Sequence, residues 1–116
     1  MQRRQDRNRV YHLWEAAREA VGYAKGRKPE DLETDRPLMH SLVRCFEIIG
    51  EAANKVSPEF RQAHPQIAWD DMIGMRNRLI HAYFEVNLNI VWRTVNEELP
   101  PLIVALEPIL AAEGMT

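Results

Sequence analysis

The stretch Met75-Arg76-Asn77-Arg78-Leu79-Ile80-His81-Ala82-Tyr83 places two arginines, an asparagine, a histidine and a tyrosine within three helical turns. Nowhere else does the chain gather so many functional groups so closely. Histidine, with an ordinary pKa of about 6.5, takes or gives a proton near neutral pH. An arginine fork grips a phosphate through two parallel N–H donors and stabilises charge developing on it. Arginine and histidine without a metal are sufficient to cleave RNA. In that chemistry His81 activates the ribose 2′-hydroxyl or protonates the leaving 5′-oxygen, while arginine holds the five-coordinate phosphate. The nucleophile belongs to the substrate, so DNA is expected to be inert. Tyr83 has two readings on periodicity alone, an aromatic in the core or a group that positions a phosphate or stacks on a base.

On a helical wheel, at about 100° per residue, Met72, Ile73, Met75, Leu79, Ile80, Ala82, Tyr83 and Phe84 form one broad apolar arc. Arg76 falls inside it, and Asn77, Arg78 and His81 fall opposite. A guanidinium on an apolar face is costly unless it is paired or faces a cleft. Two explanations stand: an ion pair with Glu47 or Glu51 from another helix, or a second subunit packed across the arc. In the second, the dimer interface and the active site are the same surface.

Other chemistries find little support. The histidines His12, His40, His64 and His81 are scattered, so no zinc triplet is in view. There is no glycine-rich phosphate loop and no serine-nucleophile motif. No cofactor is expected.

The elements that must position these groups are helical. Val10, Leu13, Trp14, Ala17, Val21 and Ala24 recur at spacings of three and four, predicting a helix over about 6–25 that Gly26 stops. Residues 28–37 are polar, a loop or a loose turn of helix. Leu38, Leu42, Phe46, Ile49 and Ala53 predict a second long helix over about 37–55, with a separate polar line of His40, Arg44, Glu47, Glu51 and Asn54. That line is either a solvated face or one whose glutamates turn inward to hold a cation. Ser57-Pro58 is an N-cap followed by a first-turn proline, opening a short helix that ends near His64-Pro65, a surface loop. A fourth helix is expected from Trp69 to about Val86, with Asp70 and Asp71 complementing its dipole. Asn87 would cap a last helix that Pro100-Pro101 should kink or interrupt. No segment alternates like a strand. The expectation is an all-α antiparallel bundle of four to five helices, one domain over residues 1–116.

With 116 residues and 46% hydrophobic side chains, the core is modest for its surface, which makes a homodimer plausible. A net charge of −2 gives no global attraction to nucleic acid, so any RNA contact needs a local basic patch. Arg3, Arg4, Arg7 and Arg9, around a single Asp6, are one candidate; a solvated, frayed terminus is the plainer reading. The single cysteine, Cys45, sits in an apolar pattern and reads as a buried thiol. No secretory signal or membrane-length apolar run is found, and the cytoplasm is the expected compartment.

Arg76, His81 and Tyr83 fit the pattern Arg-x-x-x-x-His-x-Tyr. Together with Arg44 and Phe46-Glu47-Ile48-Ile49-Gly50-Glu51-Ala52-Ala53, Pro65-Gln66-Ile67-Ala68-Trp69, Ile73-Gly74-Met75, Val91-Trp92 and Leu99-Pro100, this resembles the HepT toxins. These form a branch of the HEPN (higher eukaryote and prokaryote nucleotide-binding) superfamily. Ala82 departs from the glycine found in many relatives. The resemblance implies an all-α homodimer in which two copies of the motif line a cleft at the interface. It implies metal-independent cleavage of tRNA or mRNA by the toxin of a type VII toxin–antitoxin system. A minimal nucleotidyltransferase (MntA-like) would be the antitoxin, transferring AMP to Tyr83. Carried over residue by residue, Arg76 binds phosphate, His81 is the acid or base, Tyr83 is the modified residue, and Asn77 and Arg78 shape the site; Glu47 and Glu51 join the site-shaping set from the polar line of the second helix. Against this stands a non-catalytic nucleotide- or RNA-binding partner of a nucleotidyltransferase, or a purely structural helical dimer.

Overall fold

The computed structural model describes residues 2–75, 77, 88–112 and 114, with only the backbone for residues 2 and 3. Among these the chain is all-α, without a strand. Helix α1 spans Gln2–Ala24, α2 Asp31–Thr34, α3 Arg36–Lys55, α4 Pro58–Ala63 and α5 Trp69–Ile73. Helix α6 (Leu88–Arg93) runs through a π-helical turn, Thr94–Glu98, into α7 (Leu99–Ala112).

The core is built on α1 and α3. Val10, Leu13, Ala16, Ala17, Ala20 and Ala24 line the buried face of α1. Its alanines let α3 lie close, presenting Leu42, Cys45, Phe46, Ile49 and Ala53. The two helices run antiparallel, because the start of α1 meets the turn following α3: the buried Asp6 carboxylate accepts hydrogen bonds from Ser57 N at 2.8 Å and Ser57 Oγ at 2.6 Å. Val91, Val95, Leu99, Leu106, Ile109 and Leu110 from the C-terminal helices complete the same cluster.

The local stop and start signals act as the residue types require. Gly26 has φ +75° and ends α1. Asp35 caps α3 by accepting from Leu38 N at 3.0 Å, and Ser57 caps α4 by accepting from Phe60 N at 3.2 Å.

Several expectations are corrected. The first helix is not frayed up to Asp6, because its carboxylate is anchored to Ser57 from the far end of α3. Residues 28–37 hold a single helical turn, α2, one of their two expected readings, with the additional feature that Leu32 is buried and Arg27 bridges Asp31 and Asp35 at 3.2 and 2.6 Å. Trp14 and Val21, placed on the core stripe by their spacing, are only half-buried. His64 is in a connection, as expected, but its ring packs against Phe60 at 4.6 Å and its carbonyl accepts the Trp69 indole N–H at 3.0 Å. The fourth helix is broken: α5 ends at Ile73, Gly74 forms a turn, and Met75 and Asn77 are helical again. Its expected end near Val86, and the Asn87 cap, lie outside the described residues.

At Pro100-Pro101 the expected interruption takes the form of a π turn, and the helical run continues beyond it. Proline has no N–H to donate, and its ring clashes with the carbonyl four residues back. The π turn just before the pair widens the backbone, with Leu99 N donating to the Thr94 carbonyl five residues back. Asn96 Nδ2 meanwhile donates to the Trp92 carbonyl at 2.9 Å.

Candidate functional site

Most of the predicted polar line on α3 faces solvent: His40, Arg44, Glu51 and Asn54 are exposed, and Glu47 is half-buried. Towards the C-terminal half the line meets the end of α5. There Glu47, Gly50, Glu51 and Asn54 face Ile73 and Asn77 across a hollow of about 210 Å3. Glu47 is half-buried, whereas Glu51, Asn54 and Asn77 are exposed. Three of the predicted site-shaping residues, Glu47, Glu51 and Asn77, thus line one hollow.

Gly50 makes this approach possible. A Cβ at position 50 would stand 3.1 Å from the Met72 carbonyl oxygen and 3.7 Å from that of Ile73. Few real side chains tolerate the first contact, so the last turn of α5 rests on bare α3 backbone. Met75, buried just beyond the turn at Gly74, anchors the helix where the Arg-x-x-x-x-His-x-Tyr segment begins. Sequence reasoning missed Gly50 as a positioning residue. The signal was there: an interior helical glycine costs about 0.5–1 kcal/mol relative to alanine, so its presence points to a close backbone approach.

Arg76, Arg78, His81 and Tyr83 lie outside the described residues, and so does the expected pairing of Arg76 with Glu47 or Glu51. The described lining supplies carboxylates and carboxamides. The carboxylates can orient a guanidinium or accept from a hydroxyl and repel a phosphate; the Asn54 and Asn77 carboxamides can donate N–H to one but carry no charge to offset it. A phosphate there requires cations from the segment that Asn77 enters.

The remaining chemistry-bearing groups do not form a second catalytic constellation. Cys45 is buried, and burial, followed by the nearby Glu19, pushes its thiol up to about 11, so it is no nucleophile at neutral pH. Among the described residues no group of His, Cys, Asp and Glu could hold a metal ion, and no helix is long and apolar enough to cross a membrane. A larger hollow of about 640 Å3 between α4 and α5, lined by Arg61, Trp69, Asp70 and Asp71, contains none of the predicted site residues.

Comparison with known proteins supplies the family. The family model described as "Ribonuclease HepT-like" matches residues 13–109. A candidate RNase of Caldanaerobacter subterraneus subsp. tengcongensis is 38% identical over 102 residues, covering 88% of this chain and 91% of that protein. A probable ribonuclease HepT of Thermococcus cleftensis is 42% identical over 73 residues, 63% of this chain and 66% of that one. A candidate RNase of Methanocaldococcus jannaschii is 32% identical over 101 residues, 87% and 84% of the two chains. No solved structure gives a significant match. The all-helical fold, the family match across most of the chain and relatives covering nearly their full length agree: this chain belongs to the ribonuclease HepT-like family of the HEPN superfamily.

Proposed function

We propose that the chain is a metal-independent endoribonuclease, a single domain over residues 1–116, acting in the cytoplasm as the toxin of a type VII toxin–antitoxin pair. The observation that carries this reading is the family match over residues 13–109, with relatives named as ribonucleases. It is supported by the hollow in which Glu47, Glu51 and Asn77 meet at the start of the Arg-x-x-x-x-His-x-Tyr segment.

In this reading His81 is the acid or base, taking the proton from a ribose 2′-hydroxyl or giving one to the departing O5′. The O2′ attacks the adjacent phosphorus, the bond from phosphorus to O5′ breaks, and a proton passes to the departing O5′. The products are a 2′,3′-cyclic phosphate and a 5′-hydroxyl, with no metal in the balance. Arg76 holds the non-bridging oxygens, whose charge grows in the transition state. Asn77 and Arg78 shape the site, and Glu47 and Glu51 orient its guanidinium groups. Two copies of the chain form a homodimer whose shared cleft contains both motifs. A minimal nucleotidyltransferase of the MntA type silences the enzyme by moving AMP from ATP to the Tyr83 hydroxyl with release of pyrophosphate, which places bulk and negative charge where RNA phosphate must sit.

The test is cleavage of end-labelled tRNA and mRNA in the presence of a chelator, alongside DNA of the same sequence. Cleavage of RNA alone is expected, reduced at least about a hundredfold by His81→Ala or Arg76→Ala. Co-expression with the adjacent nucleotidyltransferase should abolish growth arrest and add an AMP-sized mass that Tyr83→Phe removes. Cleavage by the His81→Ala protein at the parental rate sinks the mechanism, and RNA binding that never leads to cleavage favours the non-catalytic alternative.

A further inference from the structure

Helix α1 has an outer line of residues distinct from its core face. Arg4, Arg7, Tyr11, Trp14, Arg18, Val21 and Lys25 follow one another at alternating spacings of three and four. On the wheel they fall within an arc of roughly 100° beside the buried alanines. Arg4, Arg18 and Lys25 are exposed, and Arg7, Tyr11 and Trp14 are half-buried. The middle of the line is organised. The Arg18 guanidinium lies 4.7 Å from the centre of the Trp14 ring, and the Tyr11 and Trp14 rings are 5.6 Å apart at 42°. Tyr11, Trp14, Arg18, Glu15 and Glu19 surround an open hollow of about 440 Å3.

We infer that this face of α1 is an RNA-docking surface separate from the cleavage site, taking an unpaired nucleobase at Tyr11, Trp14 and Arg18 and the flanking phosphates along the arginines. The inference rests on the reading that RNA is the substrate. With a net charge of −2, the protein must attract a polyanion locally, and this line gathers cations on the outside of α1. Aromatic rings and an arginine plane are what an unstacked base stacks on. Glu15 and Glu19 repel phosphate but accept from the N–H groups of a base edge. The hollow therefore suits a base, and the phosphates run along Arg4, Arg7 and Arg18. From Arg4 to Arg18 the line is roughly 21 Å long, enough for a few nucleotides of extended strand.

A fluorescent single-stranded 2′-O-methyl RNA of about 12 nucleotides is the probe, because it binds without being cleavable and fits the usual span of such surfaces. Arg18→Ala and Arg4→Ala alter exposed side chains, and Tyr11→Leu keeps apolar volume while removing the ring face. Each substitution is expected to weaken binding roughly five- to tenfold at low salt. Arg18→Ala should also lower the slope of log affinity against log salt by about 0.7, the loss of one phosphate contact on a single strand. On cleavable RNA the variants should raise KM and leave kcat unchanged. Parental affinity in the Arg18→Ala and Tyr11→Leu proteins overturns the inference, as does a fall in kcat at constant KM. A parental protein that binds the probe through α1 but cleaves nothing overturns the nuclease reading and leaves the docking surface standing.

Discussion

At the scale of single residues, Asp35 shows how one carboxylate organises a turn. It accepts from Leu38 N at the start of α3 and from Arg27 Nη2, so it both caps a helix and closes the loop around α2. Its pKa is held below the ordinary carboxylate range, first by the Leu38 amide and then by Arg27. A group whose folded pKa is depressed contributes stability above its unfolded value, near 4, and loses it as the pH falls through the lowered folded value. Asp35→Ala is therefore expected to lower the Tm at about pH 7, and the gap from the parent should shrink as the pH approaches about 2.5. Thermal melts by circular dichroism at the two values check this, and a gap that stays constant contradicts the assigned role. Glu47 and Glu51 bring anionic oxygen to the hollow beside α5, and in the mechanism proposed above their part is to orient cations.

At the scale of elements, what local chemistry determines was legible in the sequence. Gly26, Asp70-Asp71 and Ser57-Pro58 marked helix ends, and the three-and-four spacing found α1 and α3 within a few residues. What depends on distant partners was not. Nothing near Asp6 reveals that it will meet Ser57, 51 positions away, and its place among arginines made it look like part of a solvated end. Asp6→Ala should leave two buried donors of Ser57 unsatisfied and cost about 2 kcal/mol. That corresponds to a Tm lower by roughly 8 °C for a domain this size, whereas Asn8→Ala, on the exposed side of the same helix, should change it little. Gly50 and Gly22 make a matched pair on the two principal helices. Nothing lies within 4 Å of a Cβ placed at Gly22, so Gly22→Ala should stabilise by about 0.5–1 kcal/mol. Gly50→Ala has the same intrinsic gain, opposed by the 3.1 Å contact with the Met72 carbonyl. It should displace the end of α5 and lower kcat for RNA while the helical content is kept. A Gly50→Ala enzyme as active as the parent shows that α5 need not rest on α3.

At the scale of the whole molecule, periodicity put Glu47 and Glu51 on one helical line, and the hollow beside α5 gathers them with Asn77. Periodicity did not separate α1's core face from its outer line, since Trp14 and Val21 satisfy the spacing of both. Nor can one chain's wheel explain Arg76, a cation among apolar neighbours. The homodimer proposed above does explain it, and it makes a demand that a self-contained site does not. If the cleft is shared, Arg76 from one protomer can serve beside His81 from the other. The Arg76→Ala and His81→Ala proteins are each expected to be inactive. Mixed, unfolded and refolded together, they form some heterodimers in which one cleft contains an intact arginine and an intact histidine from different chains. Recovery of RNA cleavage is expected in the mixture, increasing with the heterodimer fraction measured by native mass spectrometry on differently tagged chains. Each protomer has a mass of 13.5 kDa, so the dimer should sediment at twice that value. Heterodimers that form readily and cleave nothing place the complete site within one protomer, and the paired-motif cleft is then wrong even if the enzyme is a ribonuclease.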